Sequence, residues 1–283
     1  MSVAFTPDAL TRLSPGPELL VALDIDGTIL GHDGSLRAVV RETIAELAGT
    51  GTHIVLATGR SLPAVTPILE ELGLSTGWAV CSNGAVTLRL EPEVDDGYEI
   101  FDLVTFDPEP TLRLLRSHLP EGLFAVEDLG RGFKVTAPFP LGELGGDVTV
   151  VDFEELCTSP ASRVTLRAPD LSSADFHDLV DRSGLLGVSY AVGWTAWLDI
   201  TPDGVSKASA LETVRQRLGV PEGATLAAGD GRNDIEMLTW AGVGVAMGGA
   251  DADTRAAADL HTGPVEEDGL VPVLAAVLRR DLG

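Results

Sequence analysis

Short apolar runs alternate with helical patterns in the first part of the chain. Strands are predicted at 20–23, 53–57, 78–81 and, much later, 225–229. Between the early runs, residues 35–47 have apolar side chains at helical spacing with Ser35 as the predicted N-cap, and a second helical pattern, 63–72, ends at Gly73. This order of strand, helix and strand predicts βαβ units and therefore a parallel sheet.

Beyond residue 84 the runs become shorter, and apolar and polar residues alternate in them. Such strands are predicted at 98–106, 133–136, 163–167 and 188–192, and helices near 110–119 and 172–183. The first pattern then returns, with strands at 197–200, 225–229 and 243–247 and helices at 206–218, 233–241 and around 251–258. The change predicts an α/β core of residues 1–84 and 194–283 and an inserted α+β part, residues 85–193.

Polar groups follow the predicted core strands at the points where they end. These groups are Asp24 and Asp26, then Thr58, Gly59 and Arg60, then Ser82 and Asn83, and finally Asp230, Asn233 and Asp234. The carboxyl ends of parallel strands share one edge of a sheet, and ligands bind in the crevice there. We therefore expect these groups to converge on one site.

Two carboxylates stand one residue apart at the end of the first strand. Asp24 and Asp26 repel each other and lose hydration there, so they need a cation or a shared proton, and a divalent ion is the simplest candidate. The alternative for Asp24 to Gly27 is a solvated turn, which Asp and Gly favour. The polar groups after the other strands favour the functional interpretation.

This set of side chains suits phosphoryl transfer, in which positioning and charge neutralisation dominate. Asp24 is a candidate nucleophile that would form an aspartyl-phosphate, and Asp26 a candidate general acid and then base. Asp230 brings a third carboxylate, and Mg²⁺ prefers such oxygen ligands. The Thr58 hydroxyl and the Gly59 amide could bind phosphoryl oxygens.

Three further residues are predicted near the same edge. Lys207 lies at the start of a helix, where the helix dipole disfavours a cation, so a negatively charged partner is expected. Asn233 and Asp234 are expected to cap a helix, orient Lys207 or extend a metal site.

Composition narrows the partners of the chain. It has 283 residues, is 45% hydrophobic and has a net charge of −24, which disfavours nucleic acids and anionic membranes. No apolar run is long enough to span a bilayer, and residues 1–17 do not resemble a secretory signal. Cys81 and Cys157 lack metal-site spacing, so a reducing, cytoplasmic setting is expected.

Four motifs occur in a fixed order: Asp-x-Asp-Gly-Thr (24–28), Ala-Thr-Gly-Arg (57–60), Gly-Val-Ser-Lys (204–207) and Gly-Asp-Gly-Arg-Asn-Asp-Ile-Glu-Met-Leu (229–238). The chain thereby resembles the haloacid dehalogenase superfamily phosphatases, in particular the Cof-type branch, subfamily IIB. The resemblance implies a Rossmannoid three-layer core with a C2-type α/β cap that closes over the site and selects the substrate.

The resemblance also implies roles for individual residues. Asp24 would be the nucleophile and Asp26 the acid and base, with Thr58 and Lys207 binding phosphate. Mg²⁺ would bind the Asp24 and Asp230 carboxylates and the Asp26 main-chain carbonyl. Asn233 and Asp234 would lie beside the metal ion.

The expected function is therefore Mg²⁺-dependent hydrolysis of a small phosphorylated metabolite, with a sugar phosphate favoured. The alternatives are a phosphoacceptor module that senses metabolites without turnover, which Asp26 argues against, and a phosphomutase, whose cap resembles a different branch. Arg60 could bind substrate or pair with a core carboxylate. Arg232 could help bind an anionic substrate or face solvent. The motifs do not describe the cap residues that select the substrate.

Overall fold

A computed structural model describes residues 7–192 and 196–279. Residues 1–6, 193–195 and 280–283, which include Trp194, lie outside the described part of the chain. Within that part, no helix is both long and apolar enough to cross a membrane. Cys81 and Cys157 are free thiols.

The described strands and helices alternate along the chain as follows. The strands are β1 (Leu20–Leu23), β2 (His53–Ala57), β3 (Gly77–Cys81), β4 (Val86–Leu90), β5 (Tyr98–Leu103), β6 (Leu123–Asp128), β7 (Gly132–Val135), β8 (Asp147–Val150), β9 (Val164–Arg167), β10 (Val188–Val192), β11 (Trp197–Pro202), β12 (Thr225–Gly229), β13 (Val243–Ala246) and β14 (Leu260–His261). The helices are α1 (Ala38–Gly49), α2 (Leu62–Leu72), α3 (Glu109–His118), α4 (Phe153–Leu156), α5 (Ser173–Ser183), α6 (Lys207–Leu218), α7 (Ile235–Trp240), α8 (Ala252–Ala257) and α9 (Leu270–Leu278).

The core sheet has eight strands in the order β14-β13-β12-β1-β2-β3-β4-β5. Strands β12, β1, β2 and β3 are neighbours and run parallel, so their carboxyl ends lie side by side. Alternate residues of β1 point to opposite faces: Leu20 and Ala22 pack with α6 and α7, and Val21 and Leu23 pack with α1, α2 and α9. This confirms the predicted α/β core of three layers.

The cap has a six-stranded sheet in the order β10-β11-β9-β6-β7-β8, antiparallel except for the pair β7 and β8. Helices α3, α4 and α5 cover one of its faces with a separate apolar cluster that includes Leu112, Phe153 and Phe176. The strands contribute alternate residues to this cluster, such as Val164 and Leu166 of β9. The intervening residues lie on the opposite face of the sheet.

Two strands lie in a different sheet from the one that the sequence predicts. The strand predicted at 98–106 in the inserted part is β5, which extends the core sheet antiparallel to β4. The strand predicted at 197–200 in the returning core is β11, which pairs with β9 and β10 in the cap. Both errors have the same cause, because the change from apolar runs to alternating runs, and back again, does not specify the sheet to which a strand belongs. The chain changes sheet after Leu103 and after Pro202.

The start of the first helix was also predicted wrongly. Helix α1 begins at Ala38 with Arg37 as N-cap, not with Ser35. The backbone N–H and the hydroxyl of Ser35 both donate to Asp33 Oδ1, at 2.9 and 2.6 Å, so Ser35 closes a local turn. The predicted end of α2 is confirmed, since Gly73 is its C-cap in the left-handed conformation, with φ 70°.

Candidate active site

Lys207 lies at the centre of the edge formed by the core strands. Its Nζ donates to Asp24 Oδ1 and to Asp234 Oδ1, both at 2.6 Å, and its side chain is fully buried. Ser206 caps α6 and so fixes the backbone from which Lys207 extends. Burial alone would lower the pKa of Lys207, but the Asp234 and Asp24 carboxylates outweigh this effect and raise it. The structure thus gives this helix-start cation the negative partners that its position requires.

The choice of lysine here is notable because the chain uses arginine for nearly all its other cations. Lys134 and Lys207 are its two lysines. An ammonium group is compact enough for one nitrogen to contact two carboxylates at 2.6 Å, whereas a guanidinium is larger and planar.

Asp234 organises the loop after β12. While its Oδ1 accepts from Lys207, its Oδ2 accepts from the backbone N–H groups of Asp230 and Gly231, at 3.0 and 2.9 Å. The carboxylate lies so close to Gly229 that a Cβ there would be 2.4 Å from Asp234 Cγ. A glycine at position 229 is therefore required for Asp234 to reach under the loop.

Three buried carboxylates, those of Asp24, Asp230 and Asp234, offer oxygens that all lie within 4.8 Å of one another. Burial, Asp234 and Asp230 raise the pKa of Asp24 well above its usual value, although Lys207 opposes the shift. Burial and Asp234 likewise raise the pKa of Asp230 to about 7. One lysine does not balance three carboxylates, so a hard divalent cation fits this donor set.

Asp230 is held against the first motif. A Cβ on Gly27, which has a φ of +75°, would lie 2.2 Å from Asp230 Oδ2. The glycine after Asp26 thus leaves the space in which the Asp230 carboxylate approaches the backbone of the first motif.

The segment from Thr58 to Arg60 follows β2 and is held by the neighbouring turn. Thr58 Oγ1 accepts from the Arg60 N–H at 3.1 Å. The Asn83 N–H donates to the Thr58 carbonyl at 3.0 Å, and the Ser82 N–H donates to the Arg60 carbonyl at 2.9 Å. These bonds fix the backbone around the predicted phosphate-binding groups.

Ser82 and Asn83 adopt the left-handed region, with φ values of 50° and 52°. This conformation is unfavourable for residues other than glycine, and such strain is concentrated at functional sites. Here it directs Asn83 Oδ1 toward Asn233, whose Nδ2 donates to it at 2.9 Å. The sequence predicted polar residues at this strand end but no role for Asn83, because the strained turn is not visible in the residue types.

Arg60 pairs with Asp26. Its Nε donates to Oδ2 at 2.9 Å and its Nη2 to Oδ1 at 2.6 Å. The hydrogen bond to Asp26 raises the pKa of Arg60. Of the two roles considered for Arg60, the structure shows the pairing with a core carboxylate.

A cavity of about 410 Å³ lies between the two sheets. Its core side includes Asp24, Asp26, Thr58, Gly59, Arg60, Asp230 and Asn233, and its cap side includes Phe133, Glu143, Arg163, Trp197 and Asp199. Of the strand-end groups expected to converge, Ser82 and Asn83 do not line it, and Lys207 and Asp234 are buried beneath. The cap residues were missed by sequence reasoning, although the alternation of β9 and β11 places polar residues on their uncovered face.

A buried polar cluster joins the cap to the core at one side of this cavity. An Nη1 N–H of Arg163 donates to the Gly59 carbonyl. Glu127 Oε2 accepts from Ser82 Oγ at 2.6 Å and from Ser162 Oγ at 3.3 Å, and lies 3.6 Å from Arg163 Nε. The cap therefore contacts Gly59 of the predicted phosphate site and the turn at Ser82 that holds its backbone.

Arg232 does not line the main cavity. Its guanidinium pairs with Asp251 at 2.8 Å and with Asp253 at 2.7 Å, at the start of α8. These two carboxylates balance the charge of Arg232, so its guanidinium is neither surrounded only by solvent nor directed at the cluster of Asp24, Asp230 and Asp234.

Comparisons with known proteins agree with this geometry. A family model of haloacid dehalogenase-like hydrolases matches residues 21–102 and 169–274. The unmatched residues 103–168 begin at the last residue of β5 and contain much of the cap.

Two relatives are similar over nearly the whole chain. The Bacillus subtilis (strain 168) protein named "Putative phosphatase YkrA" is 32% identical over 269 residues, which is 89% of this chain and 94% of that protein. A phosphoglycolate phosphatase of Natronomonas pharaonis is 32% identical over 256 residues, covering 90% of this chain and 95% of its own.

A solved structure shares the fold. The HAD subclass IIB sugar phosphatase BT4131 aligns with a TM-score of 0.77 at 21% identity, covering 90% of this chain and 97% of its own.

Proposed function

We propose that this chain is a Mg²⁺-dependent phosphatase that acts on a sugar phosphate through an aspartyl-phosphate. It belongs to the haloacid dehalogenase-like hydrolase family and is a phosphoric monoester hydrolase of that family. One observation carries the proposal: the Asp24 carboxylate is buried against Lys207, beside Asp230 and on the wall of a cavity lined by both core and cap. A carboxylate in that position can attack a phosphoryl group held above it.

In the proposed reaction, Asp24 attacks phosphorus as the bond to the leaving oxygen breaks. Lys207 holds Oδ1 of Asp24, which limits rotation of the nucleophile. Asp26 gives a proton to the leaving oxygen and later removes one from the water that hydrolyses the aspartyl-phosphate. Its side chain, 60% exposed, has access to the cavity.

The proposed phosphoryl-binding groups are the Thr58 hydroxyl, the Gly59 N–H, Arg60 and Asn233, with the Lys207 charge beneath them. All except Lys207 line the cavity. Their bonds to neighbouring loops hold them in place before substrate binds, and such preorganisation lowers the cost of reaching the transition state.

The acidic cluster is suited to Mg²⁺. We propose Asp24 and Asp230 as the carboxylates that would bind the ion, together with the Asp26 main-chain carbonyl. Asp234 would support the site from below, because its two oxygens already bind Lys207 and the loop N–H groups. The ion would neutralise charge on the phosphoryl group and keep the carboxylates ionised.

A sugar or another uncharged polyhydroxyl group is the proposed leaving group. The Arg163 guanidinium lies over the buried ring of Phe133, and the cap side of the cavity offers Trp197 as an apolar surface. Its charges are already balanced, since Glu143 binds Arg167 at 3.1 Å and Arg163 lies between Glu127 and Asp199. Among the described residues on this side no cation is left over for a second anionic group, whereas hydroxyl groups can bind the existing donors and acceptors.

Phosphate release from a panel of phosphorylated metabolites with Mg²⁺ tests this function, with Asp24→Asn measured beside the parent protein. We expect selective release that the substitution abolishes, because an amide cannot form the aspartyl-phosphate. EDTA should stop release and Mg²⁺ should restore it. Equal activity in Asp24→Asn would contradict the nucleophile assignment. Full activity in EDTA would contradict the metal, and preference for a carboxylate-bearing substrate would contradict the leaving group.

A further inference from the structure

The Arg60–Asp26 pair occupies both oxygens of the carboxylate that the proposed reaction uses for proton transfer. The two bonds, at 2.9 and 2.6 Å, come from different nitrogens of one guanidinium. Such a fork fixes the plane of a carboxylate as well as its position. No other described side chain hydrogen bonds to the Asp26 carboxylate, so this mostly exposed group would rotate freely without Arg60.

Arg60 extends from a backbone that is itself fixed beside the phosphate site. Its N–H donates to Thr58 Oγ1 at 3.1 Å, and its carbonyl accepts from the Ser82 N–H at 2.9 Å. Its guanidinium lines the same cavity as Asp24 and Gly59. The guanidinium can therefore turn from Asp26 toward a bound phosphoryl group while its backbone stays in place.

Building on the proposed phosphatase reaction, we propose that Arg60 is a positioning residue for Asp26, and that the phosphoryl group of an incoming substrate takes over one of the two guanidinium nitrogens that hold it. A phosphoryl group has more charge and more acceptor oxygens than a carboxylate, so it competes well for the same donors. The remaining bond keeps Asp26 oriented, and the exchange frees its other oxygen only when a substrate is present.

The exchange frees one oxygen of Asp26 for the proton transfers of the proposed reaction. In the first step the Asp24–phosphorus bond forms, the bond from phosphorus to the leaving oxygen breaks, and the carboxyl proton of Asp26 passes to that oxygen. In the second step water gives a proton to Asp26 and its oxygen attacks phosphorus, and the bond to Asp24 breaks. While Arg60 donates to both oxygens of Asp26, each oxygen has one lone pair in use, and the exchange returns both lone pairs of one oxygen to the proton transfer.

A double-mutant cycle tests whether Arg60 acts through Asp26. The variants are Arg60→Ala, Asp26→Asn and the double variant, each measured with Mg²⁺ on p-nitrophenyl phosphate and on glycerol phosphate. The first has a good leaving group that needs little acid catalysis, and the second has an alkoxide leaving group that needs much more.

We expect Arg60→Ala to lower kcat on glycerol phosphate by about 10- to 100-fold and on p-nitrophenyl phosphate by less than about threefold. Added to Asp26→Asn, it should lower kcat on glycerol phosphate by no more than about twofold, because the group it positions is already absent. Its effect on KM should persist in both backgrounds, since the contact with the phosphoryl group is lost in either case. Arg60→Lys should restore part of kcat.

Arg113 provides the matched control. On the outer surface of the cap it makes an equivalent fork to Glu154, at 3.2 and 2.7 Å. Arg113→Ala should leave both substrates unaffected within about twofold. Equal losses of kcat on the two substrates in Arg60→Ala, multiplying with Asp26→Asn, would overturn the positioning role.

A structural readout separates this proposal from the proposed function. Crystals of the parent protein grown with Mg²⁺ and inorganic phosphate should show the Arg60 guanidinium bound both to phosphate and to a single oxygen of Asp26. A bound phosphate with the Arg60–Asp26 fork unchanged would overturn the exchange. If phosphate moves Arg60 but no compound is hydrolysed, the exchange stands and the phosphatase reaction does not.

Discussion

The two sheets of the molecule differ in how their faces are covered. The core sheet has helices on both faces, so its strands are apolar on both sides and its polar groups stand at the strand ends. The cap sheet has helices on one face, and its polar groups stand along the strands, at alternate positions such as Arg163, Thr165 and Arg167. Chemistry in the core therefore depends on strand ends, and recognition by the cap depends on a whole sheet face.

This difference predicts that substitutions in the core edge will affect catalysis and stability together, whereas substitutions on the cap face will mainly change which substrate is used. The core groups are buried and linked to one another through Lys207 and Asp234, so the loss of one leaves the others without partners. On the cap face, Arg163 is buried, whereas Glu143 and Arg167 are partly solvated and can adapt.

The largest effect is expected for Lys207→Met. The substitution leaves the Asp24 and Asp234 carboxylates buried without their cation, which should lower the free energy of unfolding by about 3–5 kcal/mol and abolish turnover. Urea denaturation and phosphate release would measure the two effects. The control is Lys134→Met, which removes an exposed pair with Glu155 and should cost less than about 1 kcal/mol. Equal costs for the two lysines would contradict the central role of Lys207.

The second prediction concerns the pH dependence of metal binding in the core. Asp230 has a folded-state pKa of about 7 without metal, above the usual value of 3.8. Between these values the folded state binds more protons than the unfolded state, so this group lowers stability as pH rises toward 7, and its effect levels off above 7. Mg²⁺ replaces the proton, so its stabilising effect should grow over the same range.

Thermal unfolding with excess Mg²⁺ or with EDTA at pH 5 and pH 8 tests this. At a Mg²⁺ concentration about 100 times the Kd, the increase in Tm at pH 8 should be roughly 5–10 °C. The increase should be smaller at pH 5, and absent at both pH values in Asp230→Asn if this carboxylate is the one that gains the ion. A larger increase in Tm with Mg²⁺ at pH 5 than at pH 8 would contradict the replacement of a proton on Asp230 by the ion.

The third prediction addresses the contact between the two sheets. Ser82→Ala removes the 2.6 Å hydrogen bond from the core to the buried Glu127 of the cap, which should cost about 1.5–3 kcal/mol. Ser162→Ala removes a longer bond, at 3.3 Å, to the same Glu127 oxygen from within the cap and should cost less. Chemical denaturation measures both, and a greater cost for Ser162→Ala would show that the bond across the sheets is not the stronger one.

The core and its site were predictable because their signals are local. A buried run followed by Asp24 and Asp26 identifies a strand end, and four such ends imply a shared edge. The sheets to which β5 and β11 belong were not predictable, since the apolar and polar pattern of a strand does not identify its partner strands. Nor was the turn at Ser82 and Asn83, because its strained conformation depends on contacts with distant loops.

The sequence predicts which residues share the polar face of the cap sheet, but it does not predict the roles of those residues. Alternation in β9 predicts that Arg163 and Arg167 share a face, but the neighbours that neutralise them, Glu127 and Glu143, come from other strands and loops. Whether a guanidinium is available to a substrate depends on those neighbours. Substrate choice therefore requires the three-dimensional structure.

The smallest predicted effect tests whether substrate choice depends on the carboxylate that neutralises a cap guanidinium. Glu143 lines the cap side of the cavity, and Glu143→Gln removes the charge that balances Arg167, whose Nε lies 3.1 Å from it. The freed guanidinium should then attract an anionic leaving group. The two test substrates are glucose 6-phosphate and 6-phosphogluconate, which has a similar size but carries a carboxylate. We expect the ratio of their kcat/KM values to shift about fivefold toward 6-phosphogluconate. This shift corresponds to a gain of about 1 kcal/mol, as expected for a partly exposed ion pair. Glu109→Gln, which removes the same charge beside Arg113 outside the cavity, should leave the ratio unchanged. If both variants shift it equally, the net charge of the protein sets the preference, and the cap face does not act as a specific surface.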